Sequence, residues 1–366
     1  MHTSDAYVLW LSRIDGLGCK KVLALIEHFP DISDVFTAGR DKLKQADILT
    51  EANVEAIVSS RDEQLLTGYI SELESAGIGL ITINNPKYPA LLKEIYDPPV
   101  CLYVLGELPD DCFPKISIIG SRRCSEYGLT VARTLGYKLA ACDITVVSGM
   151  AKGIDASAHR GALEANGKTA AVLGCGVDIC YPSENERLRN EIIKNGCLIS
   201  EFPPKTKPLP QYFPLRNRII SGLSMGTVVV EAAEKSGTLI TVGQALDQGR
   251  EVFAIPGNIT SKLSRGTNSL IKQGAALTES YIDILDALGL PDKTASNETD
   301  ETKPYSGIQL KPDERLVYDA IGRDPVSQTD IMLQSKSQAH TVQYILTMLE
   351  INGYIQKLPG QRYIRR

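Results

Sequence analysis

Three glycine-rich segments follow short β-branched runs, and each could bind an anion through its backbone. They are residues 120–123 (GSRR), 148–155 (SGMAKGID) and 174–178 (GCGVD). In an open parallel sheet, glycine turns at the carboxyl ends of strands let backbone N–H groups and helix N-termini face a bound phosphate. Three such turns on one sheet predict a phosphate-binding crevice. We expect its lining to include Gly120, Ser121, Arg122, Arg123, Ser148, Gly149 and Lys152.

Basic residues are concentrated in three segments that contain no acidic residue, 115–125, 202–218 and 252–278. The whole chain, by contrast, has 39 Lys+Arg against 44 Asp+Glu and a net charge of −5, which excludes a globally basic nucleic-acid coat. A solvated face would mix both signs, so acid-free segments at predicted strand ends indicate a local polyanion-binding surface. The basic residues are Lys115, Arg122, Arg123, Lys205, Lys207, Arg216, Arg218, Lys262, Arg265 and Lys272.

Segment 202–218 (FPPKTKPLPQYFPLRNR) also carries aromatic residues among its cations. Unpaired bases stack on aromatic rings while Lys and Arg follow the phosphate backbone, so this mixture is typical of proteins that bind single-stranded nucleic acid. The alternative is a proline-rich loop whose rings fill the core. The rings are those of Phe202, Tyr212 and Phe213, and the cations nearest them are Lys205, Lys207, Arg216 and Arg218.

Two familiar nucleotide-binding motifs do not fit. No Gly-x-Gly-x-x-Gly follows the first predicted strand of the α/β segment, and two arginines stand in its place. The stretch from Gly161 to Thr169 resembles a P-loop, but it has five intervening residues instead of four and precedes a strand. We interpret Gly167 as a helix-terminating glycine that leads into that strand.

A catalytic constellation is hard to assemble. His159 follows Asp155 by four residues and could form an oriented base, and Glu231 ends a predicted strand. A capping aspartate, a polar i,i+4 pair and a carboxylate bonded to a neighbouring glycine loop explain the same residues without catalysis, and we favour this interpretation. The remaining histidines lie outside the α/β segment, which argues against a multi-histidine metal site. We therefore expect neither catalytic residues nor a metal.

Composition places the chain among ordinary water-soluble proteins. Apolar residues make up 43 % and charged residues 23 % of its 366 residues, and no apolar run approaches the ~20 residues needed to span a bilayer. The early apolar stretch at 6–11 is too short for a signal peptide, so we expect a cytoplasmic protein. The eight cysteines include no Cys-x-x-Cys pair and are expected to be buried thiols. No cofactor and no membrane contact are predicted.

The elements that must position these residues form an α/β domain over 81–290. Short β-branched runs alternate there with helical stretches, which predicts a doubly wound, mostly parallel sheet covered on both faces. The predicted strands are 116–119, 144–147, 169–173, 197–200, 227–230 and 251–255.

The flanking segments differ in texture. Residues 1–80 have helical periodicity, and 14–18 (IDGLG) could form the turn of a helix-hairpin-helix or a simple glycine cap. Residues 291–309 have few apolar groups and are predicted to be a linker. Residues 310–366 suggest three helices and a small hairpin, the winged-helix pattern, with a role in either DNA or protein contact.

A long series of motifs resembles the DNA processing protein A (DprA/Smf) family. The series spans about residues 85–290 and comprises GSR at 120–122, SGMAKGIDASAHRGAL at 148–163, VLGCGVDICYP at 172–182, SEFPP at 200–204, FPLRNRIISGLS at 213–224, VVVEAAEKSGTLIT at 228–241, GREVFAIPGN at 249–258 and GTNSLIKQGA at 266–275. The flanks look like the family's helical N-terminal domain and winged-helix C-terminal domain.

The resemblance implies an extended Rossmann-like fold that binds single-stranded DNA without hydrolysing it. It also implies a homodimer that helps to load the RecA recombinase during natural transformation. The family's DNA pocket carries over onto Arg122, Phe213, Arg216 and Asn217, with Arg218 beside them. Ser183 follows the Tyr-Pro motif where some members have a basic residue, so a DNA contact at that edge is in question.

Two other functions remain open on sequence grounds. One is a nucleotide-processing enzyme of the phosphoribohydrolase type, although this chain keeps only Gly237-Thr238 of that motif and has Thr241 where its carboxylate would fall. The other is a transcriptional regulator that uses the winged helix. Apolar residues of the later α/β helices are candidates for a dimer interface: Leu239, Ile240, Leu246, Leu270 and Ile271.

Overall fold

The computed structural model describes residues 3–294, 310, 312–322, 325–351, 354–358 and 360–365. The chain divides into two compact units, Met1–Asn297 and Glu298–Arg366. Most of the predicted linker, residues 295–309, lies outside the described residues. The domain boundaries therefore stay a prediction, and each unit is considered by itself.

Six helices occupy most of the first 75 residues of the larger unit. Thr50 and Asn53 form a capping box at the start of one of them, and the Asp62 side chain accepts a hydrogen bond from the Gln64 backbone N–H at the start of another. The buried Trp10 indole N–H donates to the Ser60 carbonyl oxygen at 3.0 Å. These helices are α1 (Thr3–Ser12), α2 (Cys19–His28), α3 (Asp34–Thr37), α4 (Arg40–Lys44), α5 (Glu51–Ser59) and α6 (Glu63–Ser75).

A nine-stranded sheet forms the centre of the larger unit. Its spatial order is β1-β2-β6-β5-β4-β3-β7-β8-β9. The pairs from β6 to β9 are parallel, whereas β1 pairs with β2 and β2 pairs with β6 in antiparallel register. The strands are β1 (Gly79–Thr82), β2 (Cys101–Gly106), β3 (Lys115–Ile119), β4 (Thr145–Ser148), β5 (Thr169–Val172), β6 (Gly196–Ser200), β7 (Gly226–Val229), β8 (Glu251–Ala254) and β9 (Ala276–Leu277).

Helices cover both faces of this sheet. The buried strand residues pack on one face against α7, α11 and α12, and on the other against α8, α9, α10, α14 and the N-terminal helices. The N-terminal helices thus share a core with the sheet. The helices are α7 (Ala90–Lys93), α8 (Glu126–Ala141), α9 (Ile154–Glu164), α10 (Glu186–Asn195), α11 (Tyr212–Gly222), α12 (Thr238–Asp247), α13 (Arg265–Lys272) and α14 (Tyr281–Leu288).

The chain reverses its direction across the sheet at β3. It proceeds from β3 through β4 and β5 to β6 on one side, and then returns to place β7 on the other side of β3. In doubly wound sheets, the carboxyl ends of the two strands at such a switch point open a crevice, because their helices lie on opposite faces. The predicted fold class is confirmed, and the topology adds the location of this crevice.

The smaller unit has the elements of a winged helix. Its core contains Val317, Ile331, Leu346, Ile355 and Tyr363. A short strand joins the hairpin to give a three-stranded sheet of order β10-β12-β11. The elements are α15 (Pro312–Asp319), β10 (Val326–Ser327), α16 (Gln328–Ser335), α17 (Ala339–Ile351), β11 (Ile355–Leu358) and β12 (Arg362–Arg365).

Candidate nucleic-acid interface

A groove of about 660 Å³ lies at the switch point, beyond the carboxyl ends of β3, β4 and β7. Strand β3 contributes the loop that follows it, and the N-terminal ends of α11 and α12 form the opposite wall. We refer to this cavity as the groove. Its polar and aromatic lining consists of Ser121, Arg122, Arg123, Asp155, Tyr181, Phe213, Arg216, Asn217, Lys235, Ser236, Thr238 and Thr241.

The loop after β3 is held close to the sheet and presents two arginines. The Ser121 backbone N–H donates to the Glu231 carbonyl oxygen at 2.8 Å, and the Ser121 hydroxyl accepts from the Arg123 N–H at 3.1 Å. A Cβ at Gly120 would lie 2.6 Å from Ile154, so only glycine permits this approach. Arg122 and Arg123 are exposed on the groove wall, as the predicted crevice requires.

Arg216 forms the floor of the groove, although only 4 % of its surface is exposed. Its Nη1 donates to the Gly149 carbonyl oxygen at 2.9 Å and to the Val172 carbonyl oxygen, and its Nε donates to the Asn217 side chain at 3.2 Å. Desolvation lowers the pKa of Arg216 to about 10, so the side chain stays positive at neutral pH. A buried, charged guanidinium at a cavity floor favours an anionic ligand.

Two aromatic rings stand beside this cation. The centroids of Tyr181 and Phe213 are 5.5 Å apart with planes inclined by 35°, and the guanidinium carbon of Arg122 lies 5.4 Å from the Phe213 ring centroid. Tyr181 is 42 % exposed, so its ring is available for stacking. Phe202 and Tyr212, by contrast, stack on each other at 4.4 Å, which agrees better with the loop-packing alternative for these two rings.

Carboxylates near the groove are engaged with the backbone. The Asp155 carboxylate accepts from the N–H groups of Gly149 and Ala151 at 3.2 and 3.4 Å. The Glu231 carboxylate accepts from the Ser125 N–H and hydroxyl at 2.9 and 2.5 Å. Burial raises the pKa of Asp155, while Arg216 opposes that shift. These contacts support the structural interpretation of both residues.

His159 differs from the expected i,i+4 pair with Asp155. It is fully buried, and its Nδ1 lies 2.7 Å from the Thr169 hydroxyl. Desolvation, together with the charges of Arg216 and Arg160, lowers the pKa of His159 to about 3. The imidazole is therefore neutral, packed between α9 and the sheet, and absent from the groove lining.

The structure corrects two of the candidate residues. Arg218 is 7 % exposed, and its guanidinium donates to Glu201 at 2.6 Å and to Asp97 at 3.0 Å, so its charge is already neutralised. Ser148 is buried, and its hydroxyl donates to the Ile118 carbonyl oxygen at 2.6 Å. Neither side chain is retained in the proposed interface. Charge density alone cannot identify the tertiary partner of a cation.

Several other predicted cations also have local partners. Lys205 donates to Glu72 on α6 at 2.6 Å, Lys115 donates to Asp111 at 2.7 Å, and Lys152 pairs with Glu184 at the edge of the site. The cations of the third basic segment are exposed but do not line the groove: Lys262, Arg265 and Lys272.

Sequence reasoning missed two features of the groove. Tyr181 belongs to the VLGCGVDICYP motif at 172–182, and the signal that points to it is an aromatic residue soon after a glycine-rich turn. Lys235 lies next to Glu234, outside the acid-free segments, yet it is exposed at the groove edge. Beside it, the N-terminal end of α12 begins at Thr238 and adds the positive end of a helix dipole.

Among the described residues, no group of three or more His, Cys, Asp or Glu side chains could hold a metal ion. In the same part of the chain, no helix has the length and apolarity needed to cross a bilayer.

Comparison with known proteins identifies relatives over nearly the whole chain. A model of the family described as DNA recombination-mediator protein A matches residues 79–289, and one described as the DprA winged helix domain matches residues 301–361. The DNA processing protein DprA of Streptococcus pneumoniae is 39 % identical over 279 residues, which cover 76 % of this chain and 96 % of the relative. Protein Smf of Synechocystis sp. is 32 % identical over 396 residues and covers 100 % of both chains.

Two solved structures are similar as well. The X-ray structure of the Streptococcus pneumoniae protein has a TM-score of 0.68 and 36 % identity, covering 77 % of this chain and 97 % of that one. A structure of DNA processing protein A from Helicobacter pylori, described for its unique single-stranded DNA binding mode, has a TM-score of 0.51 and 28 % identity. The match covers 58 % of this chain and 95 % of the Helicobacter pylori chain.

Proposed function

This chain belongs to the DNA recombination-mediator protein A family, and we propose that it binds single-stranded DNA in the groove and delivers it to a RecA-type recombinase. As a family member it is a DNA-processing recombination mediator. The choice of single-stranded DNA as its ligand is supported by the Helicobacter pylori relative, which is described as a single-stranded DNA-binding protein.

The observation that carries this proposal is the combination of Arg216 with the Tyr181–Phe213 ring pair in one groove. Arg216 and Arg122 supply positive charge for phosphate, and the exposed ring of Tyr181 supplies a surface for an unstacked base. Bases in a duplex are stacked on one another and cannot reach such rings without opening. The groove is therefore suited to a strand whose bases are free.

We propose that the groove binds DNA without chemistry. The support is the engagement of Asp155, the acidic residue in the groove lining, with two backbone N–H groups. A phosphoribohydrolase would require a free carboxylate near the sugar. Incubation with nucleoside monophosphates, followed by chromatography for released base, tests this point. Release above the buffer rate would support the enzyme alternative.

The proposal also includes a homodimer and a cytoplasmic site of action, where a recombinase and its DNA meet. Ile240 and Leu246 on α12 are 48 % and 60 % exposed, so they are the stronger interface candidates. Leu270 is buried within the subunit and is a weaker one. Size-exclusion chromatography with light scattering on the Leu246→Glu variant tests this surface. A parent dimer that becomes a monomer supports it.

The DNA-binding proposal is tested by titrating a fluorescent 20-nucleotide dT strand with the parent protein and single variants. Phe213→Ala removes a stacking ring, whose loss costs about 1–3 kcal/mol per base, and Arg122→Ala removes a phosphate contact. Arg265→Ala is the matched control, because Arg265 is exposed but does not line the groove. Equal binding by the parent, Phe213→Ala and Arg122→Ala would show that the groove is not the site.

A further inference from the structure

One loop joins the rim of the groove to the N-terminal helices. It consists of residues 201–211, which follow β6 at the carboxyl edge of the sheet, and we refer to it as the proline loop. Pro210, near its end, lines the groove. Lys205, near its start, donates from Nζ to the Glu72 carboxylate on α6 at 2.6 Å. The proline loop therefore contacts both the groove and the N-terminal helices.

Lys205 has an unusual backbone conformation. Its φ is +66°, in the left-handed region that residues other than glycine rarely adopt. Its backbone N–H donates to both oxygens of the Asp178 carboxylate at 2.9 and 3.0 Å, and the Gly176 N–H donates to the carbonyl oxygen of the next residue, Thr206, at 2.9 Å. The fold thus fixes a lysine at a position where glycine would fit without strain.

This lysine lies on the same edge of the sheet as the groove. The loop after β5 carries both Asp178, which holds the Lys205 backbone, and Tyr181, whose ring lines the groove. Three strand spacings separate β6 from β3, which is about 14 Å at ~4.8 Å each. A strand that leaves the groove past Tyr181 can therefore reach Lys205 within about four nucleotides, even at the stacked spacing of ~3.4 Å per nucleotide.

The ion pair between Lys205 and Glu72 is open to solvent. The side chain of Lys205 is 77 % exposed and that of Glu72 is 34 % exposed. The hydrogen bond from Lys205 is the main cause that lowers the pKa of Glu72, so this carboxylate is ionised at neutral pH. Exposed ion pairs contribute little to stability, and a phosphate oxygen offers a cation the same charge and acceptor chemistry as a carboxylate oxygen. A phosphate can therefore replace Glu72 at small cost.

Glu72 also has a second cationic partner. Its other carboxylate oxygen accepts from Nη1 of Arg13 at 3.4 Å. The side chain of Arg13 is only 13 % exposed, and its guanidinium carbon lies 4.2 Å from the Tyr69 ring centroid. If Lys205 turns toward a phosphate, Glu72 keeps this partner among the N-terminal helices and is not left as an isolated charge.

Given the proposed function, we propose that Lys205 is a phosphate-binding position beyond the groove, and that Glu72 occupies it in the free protein. The N-terminal helices then compete with the DNA strand for this lysine. The phosphate is one of the strand's own backbone. A free phosphate ion has the same chemistry, but a site for free phosphate alone would leave the affinity for DNA independent of Lys205.

Lys205→Gly removes the contact and keeps the backbone, because glycine suits a φ of +66°. We measure the affinity for a fluorescent 20-nucleotide dT strand at 50 and 200 mM salt. Without one phosphate contact, the slope of log affinity against log salt concentration is expected to be shallower by about 0.7, so affinity falls about 2.6-fold less than in the parent over this range. Lys262→Gly is the matched control, because Lys262 is exposed beyond β8 and does not line the groove. It is expected to keep the parent slope.

Glu72→Gln tests the competition. The amide keeps an oxygen acceptor for Arg13 but loses the negative charge, so dT affinity at 50 mM salt is expected to rise about two- to fivefold, the range of an exposed ion pair. Glu74→Gln removes the same charge from an exposed position on α6 and is expected to leave the affinity unchanged. In the Lys205→Gly background, Glu72→Gln is expected to give no gain, because the lysine it releases is gone.

The outcomes distinguish this inference from the function on which it rests. A parent slope in Lys205→Gly, with the variant shown to be folded by urea denaturation, would overturn the inference while leaving single-strand binding in the groove in place. Equal gains from Glu72→Gln and Glu74→Gln, or a gain that persists in the Lys205→Gly background, would also overturn it, because each indicates general electrostatic attraction. Failure of the parent to bind dT would instead overturn the proposed function.

Discussion

Arg216 donates a hydrogen bond to the carbonyl oxygen of Gly149 at 2.9 Å across 67 residues of sequence. This contact joins the first turns of α11 to the glycine loop after β4, and both segments border the groove. The guanidinium thereby fills two roles, since it satisfies buried carbonyl groups and places a positive charge at the floor of the groove. Stability and DNA binding are expected to be coupled at this residue.

Replacement of Arg216 by alanine tests that coupling. The variant leaves the Gly149 and Val172 carbonyl oxygens without their guanidinium donor, and an unsatisfied buried group costs about 1–3 kcal/mol. We expect a lower free energy of unfolding in urea and loss of most dT binding. Arg216→Lys is expected to keep the positive charge but to recover only part of the binding, because lysine lacks the planar guanidinium group with its several N–H donors. Full binding by Arg216→Ala would contradict the role of this residue.

Gly149→Ala perturbs the same contact from the other side. Its new Cβ would lie 2.6 Å from the Arg216 guanidinium, so the arginine must move and dT affinity is expected to fall about tenfold, ~1.4 kcal/mol. Gly68→Ala on α6 is the control, because no atom beyond its chain neighbours and its own helix backbone would lie within 4 Å of the new Cβ. That variant is expected to be as stable as the parent or more stable by up to about 1 kcal/mol. Unchanged affinity in Gly149→Ala would argue against a fixed Arg216.

Arg218→Ala is expected to lower the stability of the protein without weakening DNA binding, unlike a variant of a groove residue. It leaves Glu201, whose side chain is only 12 % exposed, without its bidentate partner, and loss of one member of a buried ion pair costs about 3–5 kcal/mol. Urea denaturation measures this loss. Under conditions where the variant is folded, its affinity for dT is expected to stay within about twofold of the parent. A selective loss of binding would return Arg218 to the interface.

His159 predicts a pH dependence of stability. Its pKa in the folded protein is about 3, below the ordinary value of 6.5, so the unfolded chain binds this proton more readily. The contribution of His159 to stability is therefore complete above about pH 6.5 and is lost as the pH falls toward 3. The free energy of unfolding, measured from pH 7 to pH 5, is expected to fall more steeply for the parent than for His159→Gln. An equal pH dependence of the free energy of unfolding in the two proteins would indicate that the imidazole is solvated.

Patterns along the sequence predicted the parallel part of the sheet well. The six predicted strands correspond to β3 through β8, because runs buried on both faces consist almost entirely of apolar and β-branched residues. Strand β9, which is parallel to β8 but has only two residues, was not predicted. Strands β1 and β2 were not predicted either. The first has four residues directly after a helix, and both pair in antiparallel register at the sheet edge, which no local pattern specifies.

The sequence predicts which loops border the groove, but not the role of each residue in them. Glycine-rich strand ends identified the loops that carry Arg122 and Gly149, since the parallel topology brings those ends together. The roles of individual cations depend on distant partners. Arg218 meets Asp97, 121 residues away, and Lys205 meets Glu72, 133 residues away. Such pairings arise from tertiary packing, so charge counting along the sequence could not reveal them.

The central claim is that the groove holds a single DNA strand by phosphate contacts and base stacking together. The most direct measurement is a titration with 20-nucleotide dT and with a 20-base-pair duplex, each at 50 and 200 mM salt. We expect dT to bind at least about tenfold tighter than the duplex at both salt concentrations. If the strand makes two phosphate contacts, dT affinity should fall about sevenfold from 50 to 200 mM salt. Each contact on a single strand contributes about −0.7 to the slope of log affinity against log salt concentration. Duplex binding as tight as dT binding, or dT affinity that does not change with salt, would contradict the account.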